Sequence, residues 1–476
     1  MLTPHPESVC EDDSLSARTM RDLQRHSFDY FVHEYNRDNG LVLDKTAADW
    51  PASIAAMGMA LTAYPVGVER QFIARVDASE RVVTMLRFLA ASEQSEGAGA
   101  TGYKGFYYHF LDMQTGRRAW RCELSSIDTA LLIAGALAAA QYFDGENGEE
   151  TEIRSLTRLL YDRVDWSWML DGGDTLRHGW RPEGGFLPYR WSGYDEALIL
   201  YVLALGSPTH PIDSRCYKAW CSTYQWKRIY GIGFLYAGPL FIHQMSHIWC
   251  DLRGIRDRYM REHECDYFEN SRRATLIQQQ YAIRNPLGFK HVNDRCWGIT
   301  ASDGPGNQVQ GINGVQRTFY DYTARGVPYG PDDGTIAPWA VAASIPFAPE
   351  IVAPTIAHMK ALHIKVPNPY GFKASFNPVF GGDFDAVGWV SPYHFGINEG
   401  PTVIMVENHR SGLIWSLMRC CAPLRSGLER AGFEGGWLSR DGVPRGPQMN
   451  EGRAGNRALD GDSRSNGTCS ASKPII

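Results

Sequence analysis

The stretch that decides the fold is LSSIDTALLIAGALAAAQYF, residues 124–143. Beyond Asp128 it carries apolar side chains on every face of a helix, and a helix that is apolar all round has to be buried. Ser125-Ser126-Ile127-Asp128 matches the Ser-x-x-Asp capping box, which marks a helix start. The segment therefore predicts a core helix whose N-terminal end is the part that can meet a ligand.

Other segments repeat the helical pattern. Residues 17–37 place Met20 and Leu23 at mostly helical spacing and predict an amphipathic helix. Short hairpins are expected at 102–112 and 367–380. Further helices are predicted near 52–64, 77–94, 125–143, 152–163, 193–205, 213–225, 242–260, 263–284, 335–344, 350–363 and 399–419.

About a dozen helices of ordinary length predict an all-α protein. Joined by loops rich in Gly, Pro and Trp, they suit six helical hairpins closed into a ring, an (α/α)6 barrel or toroid. An open helical solenoid is the alternative, but it should show a motif repeated at a fixed period, which this sequence lacks. We therefore expect the (α/α)6 barrel.

The chain divides by composition into three parts. Residues 17–437 are predicted to form the folded (α/α)6 domain, and residues 1–16 an N-terminal extension. Residues 438–476 are rich in Gly, Arg, Asn and Ser, cannot bury enough apolar surface, and are predicted to be a disordered tail. The stretch 286–334 is too long for a simple connection, so we assign it to one wall of a cleft.

Composition excludes several classes of function. The net charge of −6 comes with scattered rather than clustered Lys and Arg, which argues against nucleic acid as a partner. The ten cysteines form no CxxC pair, so no metal site is expected. No apolar run has spanning length, and the N-terminal residues are acidic where a signal peptide has a basic start and an apolar run, which predicts a cytoplasmic protein without a membrane partner. A misassigned start would instead allow a periplasmic location.

Aromatic residues make up 12% of the sequence, with 14 Trp and 23 Tyr. Core packing accounts for part of this content. The apolar face of a pyranose ring stacks on Trp and Tyr, so the composition also permits a carbohydrate groove. The composition alone leaves both interpretations open.

Hydrolysis of a glycosidic bond requires one carboxylic acid to protonate the leaving oxygen and one carboxylate to activate water or attack the sugar. We therefore sought Asp and Glu beside aromatic residues at the starts of apolar helices. Glu123 and Asp128 meet this description at the start of the decisive helix. Their alternatives are an exposed loop carboxylate for Glu123 and a helix cap for Asp128.

Glu196 is the strongest single carboxylate by this criterion. It precedes an apolar run and, unlike Asp195, is not needed to complete a capping box with Ser192. The alternative for Glu196 is a structural ion pair with Arg190 or Arg181. The aromatic residues around it that could stack on sugars are Trp180, Tyr189, Trp191 and Tyr194.

Two further carboxylates are weaker candidates. Asp303 lies before Gly304-Pro305 and is typical of a turn. Glu399 stands at a predicted helix start, where the helix macrodipole alone would favour it. Glu407, farther along the same helix, would be costly to bury alone, and Arg410 is its natural partner.

Several of these segments together resemble the glucoamylase-like family that includes bacterial endo-β-1,2-glucanases, glycoside hydrolase family 144. The resemblance runs from about residue 17 to 437. The matching text is GFYYHFLDMQTGRRAW, ELSSIDTALLIAGAL, RWSGYDEALILYVLALGSPTHPI, YFENSRRATLIQQQYAIRNPLGF, CWGITASDGPG, GTIAPWAVAASIPFAPE and ENHRSGLIW. The resemblance implies an (α/α)6 barrel, no metal or organic cofactor, and inverting hydrolysis of linear β-1,2-glucan to sophoro-oligosaccharides.

Carried over by motif, the catalytic candidates are Glu196, with Asp128 or Glu123 as its partner. The residues expected to bind the saccharide are Trp120, Trp180, Trp191, Tyr194, Asp303 and Glu399. The motif around Glu399, GINEGP in this chain, usually reads Asp-Gln in the family where this chain has Asn398-Glu399. The departure from this pattern concerns the catalytic or binding role of Glu399 and, with it, the substrate preference.

Two other functions fit the same residues. A transglycosylating or cyclising enzyme would act on the same glucan and shield the intermediate from water. A glycan-binding barrel without catalysis would keep the groove and lack the reaction. The sequence sets neither the linkage, nor endo against exo cleavage, nor the oligomeric state.

Overall fold

Helices dominate the computed structural model, which describes residues 15–312, 314–362, 369–381 and 387–439. The helices are α1 Leu15–His33, α2 Ile54–Glu69, α3 Arg75–Ala91, α4 Ser126–Tyr142, α5 Gly148–Arg163, α6 Leu198–Gly206, α7 Ser214–Cys221, α8 Arg258–Glu262, α9 Tyr267–Arg284, α10 Pro338–Ala343, α11 Pro349–Ala361, α12 Gly396–Arg410, α13 Leu413–Arg419 and α14 Ala422–Arg430. Short 3-10 helices span Trp168–Leu170, Leu240–His243, Met245–Ile248 and Gly436–Leu438. The helical class predicted from the sequence is confirmed.

The strands are short and pair only into small antiparallel sheets of two or three within the described residues. The pairs are β1–β4, β2–β3, β8–β9, β10–β13, β11–β12 and β14–β15, and β5, β6 and β7 form the three-stranded sheet. The strands are β1 Ala52–Ser53, β2 Gly102–Tyr103, β3 Phe106–Tyr107, β4 Phe110–Leu111, β5 Leu124–Ser125, β6 Gly179–Arg181, β7 Gly185–Phe186, β8 Trp226–Ile229, β9 Ile232–Leu235, β10 Ala301–Ser302, β11 Gln308–Ile312, β12 Val315–Phe319, β13 Thr323–Ala324, β14 Phe376–Asn377 and β15 Trp389–Val390.

The core is built around α2 and α4, whose residues are almost all buried. Because α2 and α4 are apolar on every face, each needs neighbouring helices on all sides. Helix α4 contacts α2, α5 and α6, and α2 contacts α4 and α12. Helix α12 in turn contacts α1 and α10. Helices α2 and α4 approach backbone to backbone at two glycines. A Cβ on Gly135 would lie 2.1 Å from the carbonyl oxygen of Gly58, and one on Gly58 would lie 2.4 Å from that of Leu131.

Three predicted helices differ from the structure. The helix expected over 242–260 is replaced by two 3-10 helices and the short α8, with Gly254 in the left-handed region at φ +71° between them. The helix expected over 399–419 is interrupted by Gly412 at φ +69°, which separates α12 from α13. The helix expected over 193–205 begins only at Leu198.

Other differences concern one strand pair and elements that were not predicted. The hairpin expected within 367–380 is wrong, because β14 pairs instead with β15 farther along the chain. The sequence interpretation also missed α14 and the β8–β9 hairpin.

Among the described residues, no helix combines the length and apolar character needed to cross a membrane.

Most residues at the two ends of the chain lie outside the described residues. The predicted extension, 1–16, lies outside the described residues except for the first two residues of α1, and the predicted tail, 438–476, except for residues 438 and 439. The described residues belong to one compact unit, Met1–Val443.

The segment 286–334, here called the wall segment, is held by a buried ion pair. Arg325 Nε lies 2.8 Å from Asp333 Oδ1, and both side chains are 0% exposed. The Arg325 guanidinium also donates to the carbonyl oxygens of Ser302, Tyr320 and Asp321. One buried cation therefore fixes three backbone positions of the wall segment.

Replacing Asp333 with Ala should lower the free energy of unfolding by about 3 kcal/mol, because it leaves the Arg325 charge buried without its partner. Chemical denaturation followed by circular dichroism measures the change. Asp144→Ala is the matched control, since Asp144 is exposed and pairs with Arg75 at 3.4 Å. We expect the control to cost less than about 1 kcal/mol. Equal values for the two variants would contradict the prediction.

Candidate active site

A cavity of about 550 Å³ lies where the N-terminal ends of α4 and α12 and the residues just before α6 meet the wall segment. A smaller chamber of about 250 Å³ adjoins it, shares Asp128, Glu196 and Tyr322 with it, and reaches Leu131 and Trp339. The residues that line the larger cavity are Asp44, Lys45, Trp50, Ser53, His109, Phe110, Glu123, Ser125, Ile127, Asp128, His178, Leu187, Trp191, Glu196, Asp303, Asp321, Tyr322, Phe395 and Ile397.

The structure brings five of the predicted site residues into this cavity: Glu123, Asp128, Trp191, Glu196 and Asp303. They come from three separate segments of the chain. The wall segment supplies Asp303, so its predicted position along a cleft agrees with the structure.

Trp120 lies at the rim of the cavity rather than in its lining. Its ring is 55% exposed and packs against Trp50 at 4.5 Å and Phe110 at 5.2 Å between ring centroids. Because Trp50 and Phe110 both line the cavity, Trp120 supports the lining from outside and leaves one part of its own surface open.

The other three predicted binding residues lie away from the cavity lining. Trp180 packs against Tyr103 and Trp168, Tyr194 packs within an aromatic cluster, and the buried Glu399 pairs with His394 Nδ1 at 2.9 Å. The partners of Tyr194 in that cluster are Tyr224, His243 and Tyr267. Roles in sugar binding for these three stay predictions.

Asp128 serves as a helix cap and lines the cavity at the same time. Its backbone N–H donates to Ser125 Oγ at 3.1 Å, and the Ser125 hydroxyl donates to Asp128 Oδ2 at 2.5 Å. The capping interaction predicted for α4 is therefore present. The same carboxyl faces His109, whose Nε2 lies 3.6 Å from Oδ2.

His109 bridges the two carboxyls at the start of α4. Its ring stacks on Phe110, and its Nδ1 lies 3.1 Å from Glu123 Oε1. Burial by itself would lower the pKa of His109, but Asp128 and Glu123 raise it to about 9. At neutral pH the imidazole is therefore protonated and holds a positive charge between two carboxyls.

Glu123 is an ionised partner in this arrangement. Burial would raise its pKa, but the hydrogen bond and charge of His109, together with Arg181, hold the pKa of Glu123 at about 2. Arg181 Nη2 lies 3.4 Å from Glu123 Oε2. A carboxyl with so low a pKa is a poor proton donor at neutral pH.

The pKa of Glu196 is shifted in the opposite direction from that of Glu123. Glu196 stands two residues before α6, and burial raises its pKa to about 8, with Asp195 and Asp128 adding to the effect. The ion pair considered as its alternative does not form, because Arg181 pairs with Glu123 and Arg190 with Asp171. Glu196 is therefore protonated at neutral pH and can donate a proton into the cavity.

Asp195 supports the segment that carries Glu196. Its Oδ1 accepts hydrogen bonds from Ala197 N at 3.0 Å and from Trp220 Nε1 at 3.1 Å, and burial raises its pKa to about 7. The capping box predicted for Ser192 and Asp195 is wrong, because α6 begins three residues after Asp195. Asp195 instead closes a local turn onto the backbone of Ala197.

Asp303 is anchored in the part of the cavity lining that the wall segment supplies. Its Oδ2 accepts a hydrogen bond from Ser391 Oγ at 2.7 Å, and its carbonyl oxygen accepts one from Ser375 Oγ at the same distance. Burial raises the pKa of Asp303. Asp303 directly follows β10 and the described residues around it form no hydrogen-bonded turn, so the turn expected at this position is wrong, but the two serine contacts fix its carboxyl in the wall of the cavity.

Sequence reasoning missed the contribution of the loop before α2. Trp50 Nε1 donates to Asp44 Oδ2 at 3.0 Å, and Lys45 Nζ lies 3.9 Å from the centroid of the Trp50 ring and 4.5 Å from that of Tyr393. The signal was present, because this loop also combines a carboxylate with an aromatic residue before an apolar helix. It is the same pattern that singled out Glu123 and Asp128.

The arrangement combines a protonated carboxyl, ionised groups and aromatic rings in one cavity. Glu196 and Asp128 both border the larger cavity and the chamber, so a bound molecule can touch both. Within the described part of the chain, no group of three or more His, Cys, Asp or Glu side chains is placed to hold a metal ion. The protonated Glu196 and the ionised Glu123 offer acid–base chemistry by side chains.

The structure defines a helix-rich class of protein with a cavity lined by carboxyls and aromatic rings. A family model described as "Putative glucoamylase" matches residues 188–422. A solved structure of the same description from Bacteroides uniformis is 30% identical, covers 90% of this chain and 100% of its own, and has a TM-score of 0.79. The chain therefore belongs to this glucoamylase-like family, which confirms the resemblance seen in the sequence.

Two further relatives carry more specific names. An exo β-1,2-glucooligosaccharide sophorohydrolase of Parabacteroides distasonis is 28% identical over 86% of this chain, which spans 57% of that relative's length. An endo-β-1,2-glucanase of Chitinophaga pinensis, solved with sophorotriose and glucose, is 26% identical over 89% of this chain and 99% of its own. Its TM-score is 0.78.

Proposed function

We propose that the protein is a glycoside hydrolase that cleaves β-1,2-glucan by an inverting mechanism. The observation that carries the proposal is the protonated carboxyl of Glu196, which borders the same cavity as Asp128. The names of the sophorohydrolase and the endo-β-1,2-glucanase support the substrate class.

In the proposed reaction Glu196 donates its proton to the glycosidic oxygen as the bond to the leaving sugar breaks. Asp128 accepts a proton from a water molecule that attacks the anomeric carbon from the opposite face. An inverting enzyme needs about 6.5–9.5 Å between the two carboxyls to leave room for this water. Glu123 acts through His109, which orients Asp128, and Trp50 and Trp191 provide rings against which sugars pack.

We also propose that the helices close into the (α/α)6 barrel, formed by the domain 17–437. The chain of contacts from α10 through α12, α2 and α4 to α6 supports this arrangement, because it describes an arc of neighbouring inner helices. The outer helices α1, α3 and α5 pack against members of the arc. The cytoplasmic location and the lack of nucleic-acid or membrane partners stay predictions of the sequence.

The proposed function is tested by incubating the protein with linear and cyclic β-1,2-glucans, β-1,3-glucan and α-1,4-glucan. We expect new reducing ends from β-1,2-glucan alone. Cyclic or longer products would indicate transglycosylation, and tight binding without product would indicate a glycan-binding barrel. No binding and no product from any of these glucans would overturn the proposal.

The pH dependence follows from the pKa of Glu196. Because the acid must be protonated, kcat/KM should fall tenfold per pH unit as the pH rises above about 8. Asp195→Asn removes a charge that raises this pKa, so the fall should begin at lower pH. Initial rates on β-1,2-glucan between pH 5 and about 10 measure both profiles. A wild-type rate that stays constant through about pH 9 would exclude Glu196 as the acid.

A further inference from the structure

Tyr322 stands where the larger cavity and the inner chamber meet. It lines both spaces, together with Glu196, Asp128 and Ile397. Tyr322 is 57% exposed, so part of its surface is open to a bound molecule. Its nearest aromatic neighbour is Phe395, with 6.2 Å between the ring centroids. A molecule bound between Glu196 and Asp128 would therefore touch the Tyr322 ring.

The hydroxyl of Tyr322 lies among carboxyls. The protein atoms around it remove water and raise the pKa of Tyr322, and four carboxyls raise it further, those of Asp44, Glu196, Asp303 and Asp128. The phenol therefore keeps its proton at every pH at which the enzyme would work. In a cavity rich in hydrogen-bond acceptors, Tyr322 presents a permanent donor.

The backbone that carries Tyr322 is fixed before any ligand binds. The N–H of Tyr320 donates to Asp333 Oδ2 at 3.0 Å, and the N–H of Asp321 donates to Asn307 Oδ1 at 3.1 Å. The carbonyl oxygens of Tyr320 and Asp321 both accept from Arg325. The next residues, Thr323 and Ala324, form β13, which pairs with β10.

A side chain carried by such a fixed backbone suits substrate recognition. Each sugar hydroxyl both donates and accepts hydrogen bonds, and the carboxylates of the cavity satisfy only its donating side. A group whose backbone is already ordered loses little conformational entropy on binding, so more of the energy of its hydrogen bond remains in the binding free energy.

We propose that Tyr322 is a substrate-contacting residue for the sugar unit at the cleavage point. Its phenolic O–H donates a hydrogen bond to a hydroxyl oxygen of that glucosyl unit, while its ring closes the wall-segment side of the site. This inference rests on the proposed hydrolase function and adds a specificity-determining residue that the two-carboxylate mechanism does not require.

The test compares Tyr322→Phe, which removes only the hydroxyl, with Tyr322→Ala, which also removes the ring. We expect kcat/KM on linear β-1,2-glucan to fall about tenfold for the first, as the loss of one hydrogen bond predicts. The second should fall further and should also raise KM. Tyr329→Phe is the matched control, because Tyr329 lies on the same wall segment but packs against Tyr236 at 69% exposure.

The control should stay within about twofold of the wild type, since its hydroxyl lies outside the cavity lining. Thermal melting of the three variants checks that the fold is kept. A Tyr322→Phe variant as active as the wild type would overturn the inference, even if Tyr322→Ala were impaired, and would leave the proposed function standing. A wild type that cleaves no glucan would overturn the proposed function and this inference together.

Discussion

The Glu196→Gln variant should lose about a thousandfold in kcat on β-1,2-glucan, because general acid catalysis contributes about 10²–10⁴-fold and glutamine has no proton to give. The substitution keeps the size of the side chain and removes a carboxyl that burial already holds in its neutral form, so the fold should be preserved. Reducing-end assays and thermal melting measure the two effects.

A substrate with a good leaving group sharpens this test. An aryl β-sophoroside with an acidic phenol needs no proton on the leaving oxygen, so Glu196→Gln should cleave it far better, relative to the wild type, than it cleaves glucan. The decline in rate above about pH 8 should also disappear for this variant. Glu152→Gln is the control, since Glu152 pairs with Arg87 on the surface at 2.6 Å. Unchanged turnover of glucan by Glu196→Gln would remove this residue from the mechanism.

Asp128→Asn should lose activity by a similar factor, about a thousandfold, because an amide cannot accept the proton of the attacking water. Stability should change little, since the amide oxygen can still accept the hydrogen bond that Ser125 donates to Asp128. The expected result is therefore a well-folded and inactive protein. Single-turnover rates and denaturation curves measure the two properties separately.

A second helix cap provides the control for Asp128. Asp266 caps α9 by accepting a hydrogen bond from Glu269 N at 2.7 Å, and it lies outside the cavity lining. Asp266→Asn should keep full activity with a similarly small change in stability. If Asp128→Asn also retains turnover, Asp128 is a helix cap alone and the base must be sought among Asp44 and Asp303.

The helices that form the core could be predicted because their signal is local. Apolar side chains on all faces of α2 and α4 require burial wherever the helices lie, and the capping residues Ser125 and Asp128 mark one start in the sequence itself. One failure has the opposite property. The hairpin expected at 367–380 depends on β15, a partner outside that segment, which local spacing does not reveal.

The site was predictable to a similar extent. Glu196 was found from its context, but the pKa difference between Glu196 and Glu123 arises from burial and from His109, which meets Glu123 across the β4 and β5 segments. Aromatic residues show the same limit. Trp191 lines the cavity and Trp180 packs against Trp168 outside the lining, although both stand in similar sequence surroundings. Only tertiary packing separates such neighbours.

The contact between α2 and α4 has a consequence for anyone engineering a more heat-resistant form of this protein. Glycines inside helices are usual targets for alanine, with a gain of about 0.5–1 kcal/mol each. At Gly58 and Gly135 the added methyl group would collide with the facing backbone and force the helices apart, which would move Asp128 relative to Glu196. Gly148, the first residue of α5, faces open space and is the safer target.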